Sequence, residues 1–254
     1  MTTPTFDEIV QDAMTLVRDA AKARRGMVSL SPETAKLITG LGGNKPVPVE
    51  PVPRADSGEI ASALDALAKE VSGCTKCELC KKRTQTVFGV GNPTSKLVFV
   101  GEAPGEDEDR QGIPFVGRAG GLLTDIIEKG MKIPRDEVYI CNVIKCRPPN
   151  NRDPLPEEKV QCEPYLVRQL ELIKPRVICA LGLHAAHSLL RIDDSLARMR
   201  GRWHFYQGIP VRVTYHPAYL LRLEGEELKK QKTKTWEDIQ QVIRVYSGLE
   251  TPTP

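Results

Sequence analysis

Apolar residues fall along the chain in short blocks of alternating character. Leu97 to Val100 is a continuous apolar run closed by Gly101, the pattern of a parallel strand covered on both faces. Val138 to Val143, Arg176 to Leu181 and Ile209 to Tyr215 read as three further strands. Between them the spacing becomes helical. A helix is expected from Glu59 to Ser72 with Ile60, Leu64, Leu67 and Val71 on one face, and another around Leu122, Leu123, Ile126 and Ile127. Pro156 to Lys174 predicts a helix with Val160, Leu166, Val167, Leu170 and Ile173 inward, in which Pro164 must sit in the first turns or impose a kink. Gly182 to Leu190 follows the third strand. A closing helix, Thr235 to Tyr246, is opened by a capping-box match, Thr235 with Asp238, and is expected to bury Trp236, Ile239, Val242, Ile243 and Tyr246. Strand and helix alternate, so a mainly parallel sheet with helices on both faces is expected, a three-layer α/β/α sandwich.

The first residues break this rhythm. Phe6, Ile9, Val10, Ala13, Met14 and Val17 have helical spacing behind a Thr5/Glu8 capping box, and Gly40 to Asp56 (GLGGNKPVPVEPVPRAD) is an extended linker of polyproline type. Residues 1–39 are thus expected as an amphipathic helical extension, 40–56 as linker, 57–248 as the functional domain and 249–254 as a tail. The extension's apolar face suits packing on its own protein or docking a protein partner.

Composition narrows the class. The chain has 254 residues, 40% hydrophobic and 27% charged, which suits one soluble domain with an extension, and a net charge of +3 neither announces nor excludes nucleic-acid binding. No apolar run approaches the roughly 20 residues of a membrane span, and the N-terminus lacks a basic start and an apolar signal core, so a cytoplasmic protein without a membrane partner is expected. Seven cysteines, at 74, 77, 80, 141, 146, 162 and 179, argue against a disulfide scaffold and for a metal.

Two places carry candidate chemistry. The loop after the first strand, GEAPGEDEDRQGIPF from Gly101 to Phe115, is acid-rich, glycine-bracketed and placed where open α/β sheets bind ligands. The cysteines form the second. Cys74, Cys77 and Cys80 make a C-x2-C-x2-C run, any two of which could join Cys146 and Cys162 around one centre; the spacing admits zinc and leans toward an iron-sulfur cluster. Cys141 and Cys179, inside strands, read as small buried hydrophobes.

Four stretches, Cys74 to Gly91 (CTKCELCKKRTQTVFGVG), the Gly101 loop through GIPFVGRAG, NVIKCRPPNNRDPLPEE from Asn142 and HPAYLLR from His216, together resemble the family 4 uracil-DNA glycosylases. The resemblance covers about Ser72 to Ser247 and implies a four-stranded parallel sheet between helices, a [4Fe-4S] cluster and excision of uracil from DNA. It puts the cluster on Cys74, Cys77, Cys146 and Cys162 and leaves Cys80 a bystander. It implies that Phe115 stacks on the base, that Asn142 reads it, and that the backbone of Gly101 to Ala103 lines the pocket. His216 would stabilise negative charge on uracil O2, and Glu102 and Glu108 would supply the acidic positions. Leu220 or Leu221 would wedge into DNA with Arg222 beside it, and the segment from Arg147 to Arg152 would track a strand; the basic run Lys229, Lys230, Lys232 and Lys234 could meet phosphates. His184, His187 and His204 match no motif and are given surface or packing roles. A monomer acting on uracil-containing DNA by hydrolysis, leaving an abasic site, is the leading expectation. The alternatives are a non-enzymatic iron-sulfur or zinc module that binds DNA or a polymerase, and a superfamily variant acting on another deaminated base.

Overall fold

The computed structural model describes residues 56–253. The expected N-terminal helix and all of the linker but Asp56 lie outside them. The strands are β1 (Val90–Gly91), β2 (Leu97–Gly101), β3 (Tyr139–Asn142), β4 (Val177–Leu181), β5 (Trp203–Tyr206) and β6 (Ile209–Thr214). They form one sheet in the order β1-β3-β2-β4-β6-β5.

The four expected strands make its parallel centre, and two antiparallel edge strands extend the sheet to six. β1 is too short to show a period. β5 is joined to β6 by Gln207 and Gly208, both at positive φ (48° and 82°), the two-residue hairpin geometry whose twist suits antiparallel strands.

The helices are α1 (Ser57–Ser72), α2 (Glu106–Gln111), α3 (Arg118–Asp125), α4 (Pro156–Ile173), α5 (Leu183–Leu190), α6 (Leu196–Met199), α7 (Pro217–Leu220) and α8 (Gly225–Tyr246). α3 runs on into a π-turn, Ile126–Gly130. The side-chain alternation of a strand divides the core in two. Val98, Val100, Cys141, Ile178 and Ala180 pack with α1, α4 and α5, whereas Leu97, Phe99, Ile140, Val177 and Cys179 face α3 and α8. Cys141 and Cys179 are wholly buried, and burial pushes both thiols up.

Three helix expectations change. α8 starts at Gly225 rather than Thr235, so the lysine run lies within it. The Thr235/Asp238 pair is not its cap: Thr235 Oγ1 donates to the Gln231 carbonyl, and the buried Asp238 carboxylate joins Arg200 at 2.5 Å and Arg212 at 3.0 Å. Trp236 and Val160, expected inward, are 39% and 64% exposed. Pro164 lies inside α4, where its missing N–H removes one helical hydrogen bond.

Candidate active site

The carboxyl ends of the parallel strands converge, and each delivers one part of a cavity of about 530 Å3. β2 leads into Glu102 and Ala103, β3 ends on Asn142, β4 leads through Gly182 into His184, and β6 leads to His216. The connections leave β2 toward β3 on one side and reach β4 on the other, so the cavity sits where the strand order reverses, the usual ligand crevice of an open sheet.

Phe115 lines the cavity with only 6% of its surface exposed, and its backbone is left-handed at φ 55°. Such a conformation costs an aromatic residue about 1–2 kcal/mol and needs outside support. Arg135 supplies it, donating to the carbonyls of Phe115 (2.9 Å) and Pro114 (3.1 Å) and to Thr124 Oγ1 (2.8 Å). Glu108 supplies more. One carboxylate oxygen accepts the N–H groups of Val116 and Gly117, both at 2.9 Å, and the other accepts Gly105 N–H at 3.1 Å. Glu108 therefore lines the cavity but spends its lone pairs on closing the loop that presents Phe115.

Of the buried side-chain oxygens on residues that line the cavity, Asn142 Oδ1 and Glu102 Oε1 have no hydrogen-bond partner among the described residues. An unpaired buried acceptor costs about 1–3 kcal/mol, so both stand ready for a donor that enters the cavity. Asn142 is 1% exposed, and its backbone carbonyl accepts from Lys145 Nζ at 2.7 Å. Burial, with the Asp153 charge nearby, pushes the Glu102 carboxyl up to about 7. The His216 ring stands 5.6 Å from the Phe115 ring, centroid to centroid. Its Nδ1 accepts the Ala218 N–H at 3.1 Å, so in the neutral ring the proton is on Nε2. Burial first, then the Arg222 charge, push His216 down to about 4, and the ring is neutral at pH 7.

Gly101 does not line the cavity; it lies fully buried behind it, and a Cβ there would run into Asn142 Oδ1 and the Phe115 ring. Ala103 and Arg222 line it. Of the two wedge candidates, Leu220 is buried at 2% exposure, its side chain enclosed in the fold, whereas Leu221 is 38% exposed. This corrects the expectation for Leu220. Arg147 is held by Glu106 (3.0 Å) and Asn151 (2.8 Å).

His187 and His204 each bond a backbone carbonyl, that of Asp194 at 2.7 Å and of Met199 at 2.8 Å, as packing roles require. His184 differs: it lines the cavity, with Asp153 opposite it. Sequence reasoning missed both residues. The rule that sites lie past strand ends, applied to β4 as it was to β2, would have found His184.

Cys74, Cys77, Cys80, Cys146 and Cys162 line a second, smaller hollow. Arg83 Nη1 lies 3.1 Å from Cys146 Sγ and the Lys145 N–H points at Cys162 Sγ from 3.2 Å. Burial pushes Cys162 up to about 11 and raises Cys77 and Cys146, so burial favours their neutral thiols and a positive centre would favour the thiolates. Soft sulfur donors with N–H groups aimed at them are the chemistry a zinc ion or an iron-sulfur cluster needs.

A sheet with a parallel centre and a pocket at its carboxyl edge, and a cysteine nest drawn from the segment after α1, the loop after β3 and α4, defines a class. The chain is a member of the uracil DNA glycosylase superfamily, whose model matches residues 88–240. Within it, the chain belongs to the type-4 family. It is 48% identical over 169 residues to a type-4 uracil-DNA glycosylase of Archaeoglobus fulgidus, a match spanning 63% of this chain and 83% of that one. A type-4 uracil-DNA glycosylase of Thermotoga maritima is 46% identical over 172 residues, 66% of this chain and 88% of the relative. A type-5 uracil-DNA glycosylase of Pyrobaculum aerophilum is more distant, at 32% over 146 residues, 51% of this chain and 64% of the relative.

Proposed function

We infer that the protein is a DNA repair glycosylase that hydrolyses the N-glycosidic bond of uracil in DNA. The observation that carries this reading is the unpartnered Asn142 amide oxygen, buried at the end of β3 beside the Phe115 and His216 rings. A flipped uracil placed against Phe115 offers N3–H to Asn142 Oδ1 and accepts at O4 from the amide N–H; cytosine presents the opposite pattern and is refused. His216 Nε2–H donates to O2, where negative charge gathers as the bond to N1 breaks. A neutral donor suits this task, because it stabilises the departing anion without needing a proton from solution.

Glu102 is the carboxylate free to act. As the base leaves with the bonding electrons, the sugar becomes cationic at C1′; the ionised Glu102 stabilises that charge and orients the water that attacks it. The water loses its proton, uracil takes one up, and an abasic site remains. Glu108 acts through the loop and is a positioning residue. Among the described residues no lysine lines the cavity, and Lys145 is occupied with the Asn142 carbonyl and Gln169, which favours hydrolysis without a Schiff base. Leu221 is the residue exposed to fill the space a flipped base leaves, with Arg222 beside it for phosphate. Cys74, Cys77, Cys146 and Cys162 would hold a [4Fe-4S] cluster, which when bound ties the loop after β3 to α4 and takes no part in hydrolysis.

The test is alkali-revealed cleavage of a labelled oligonucleotide with one uracil. The parent cleaves; Asn142→Ala and His216→Ala, if they keep the parent's iron content and melting temperature, lose most of the activity. A parent with full iron content that leaves the uracil strand intact refutes the reading.

A further inference from the structure

Glu102 Oε1 is enclosed and without a hydrogen-bond partner, and the nearest basic group is His184, whose Nδ1 lies 3.8 Å away. On the other side of the same ring, Nε2 lies 3.5 Å from Asp153 Oδ2. The imidazole is thus set between two carboxylates, one inside the cavity and one exposed at its mouth. The three come from separate parts of the chain: the loop after β2, the loop before α4 and the first turn of α5. Gly182, at φ 89°, lets α5 start close to His216, since a Cβ there would stand 3.0 Å from His216 Cβ.

We propose that His184, aimed by Asp153, is a positioning residue that holds the Glu102 carboxylate toward the reacting sugar. This rests on the reading of Glu102 given above. A separation of 3.8 Å is too long for a direct hydrogen bond, and a bridging water or a small turn of the Glu102 side chain closes it when substrate fills the cavity. With Asp153, 3.5 Å away, drawn in to accept from Nε2, the neutral ring offers Nδ1 as acceptor to protonated Glu102, and the protonated ring offers Nδ1–H to ionised Glu102. The other charged group felt by Glu102 is Lys159 on α4, which favours the ionised form; His187 adds a weak like charge at His184. Elsewhere in the cavity, Arg152 is paired with Glu158 at 2.6 Å, Glu108 is held by backbone amides and Arg222 stands on the His216 side, which leaves His184 as the side chain within 4 Å that can hold the Glu102 carboxylate in place.

The experiment is single-turnover excision from a uracil oligonucleotide from about pH 5 to pH 9, with thermal melting as a folding control. The enzymes are the parent, His184→Ala, His184→Asn, Asp153→Asn and Glu102→Gln. His184→Ala is expected to lose roughly ten- to a hundredfold in the rate of the chemical step with substrate affinity unchanged. His184→Asn, whose amide nitrogen can stand where Nδ1 stood, recovers part of that loss. Asp153→Asn removes a like charge near Glu102 and moves the acidic limb to lower pH. Equal rates in His184→Ala and His184→Asn with an unmoved limb in Asp153→Asn would mean packing alone and overturn the proposal. Full activity in Glu102→Gln would overturn the Glu102 reading itself, and this proposal with it; loss there with parent-like His184 and Asp153 variants overturns this proposal only.

Discussion

Gly101 and Asn142 face each other across the parallel strands β2 and β3, so closely that a single carbon added to Gly101 would overlap the Asn142 amide oxygen and come within 2.7 Å of the Phe115 ring. The glycine is thus the back wall of the pocket. Gly101→Ala is expected to displace the reading amide, the ring or both, and to lower the excision rate by about a hundredfold, the order expected when reacting groups move by an ångström. The loss should appear in single-turnover kinetics on uracil, while circular dichroism shows the fold retained.

Glu102 and His216 make stability and activity depend on pH in opposite directions. Glu102 titrates near 7 in the fold against an ordinary value of 4.5, so folding disfavours its ionised form. That stability is complete below pH 4.5 and is lost as pH rises through 7. Glu102→Gln should therefore melt higher than the parent at pH 8, by up to about 3 kcal/mol in unfolding free energy, and show no such gain at pH 4. His216 is depressed to about 4, so its contribution is complete above about 6.5 and is lost as pH falls toward 4. Excision should then rise with pH through a limb near 7 set by Glu102, His216 already being neutral there. Thermal melts and a pH–rate profile check both.

Adjacent leucines should separate DNA contact from folding. Leu221→Ala is expected to weaken excision from duplex DNA more than from single strands, with an unchanged melting temperature, because its side chain meets solvent in the free protein. Leu220→Ala should cost about 2–5 kcal/mol of stability through the cavity it leaves. Equal duplex and single-strand losses in Leu221→Ala would remove it as the wedge.

The cysteine nest holds five sulfurs where a cluster needs four. Cys80→Ser is expected to keep the parent's iron content and visible absorption, and Cys162→Ser, on α4, to lose both. Iron analysis of the purified variants distinguishes a bystander from a ligand.

Much of this was legible from the chain. β2 and β4 bury both faces, so their runs are apolar throughout and stand out against amphipathic helices, and β3 and β6 are mostly apolar; α1, α4 and α5 followed from spacing within a residue or two. The residues carrying the resemblance, Glu102, Phe115, Asn142 and His216, all line one cavity. The edge strands were not legible, since β1 is two residues long and β5 depends on a hairpin turn, Gln207-Gly208, that lacks the usual asparagine or aspartate. The start of α8 was misplaced because Thr235 and Asp238 match a cap by type; in the fold, Arg200 and Arg212 claim the aspartate instead.

Residue types and their spacing determined the strand-helix alternation, because it depends on local periodicity, and short motifs carried the family resemblance that points to the candidate cysteine ligands and base-reading groups. Tertiary structure alone decided which carboxylate is free. Glu102 and Glu108 stand six positions apart in one acidic loop, yet folding closes backbone amides around Glu108 and leaves a Glu102 oxygen bare in a cavity beside His184. It also decided which leucine faces solvent, and brought Asp153 and His184 to the same ring of side chains. Hydrogen-bond partners and burial are set by segments far apart in sequence, and no local pattern records them.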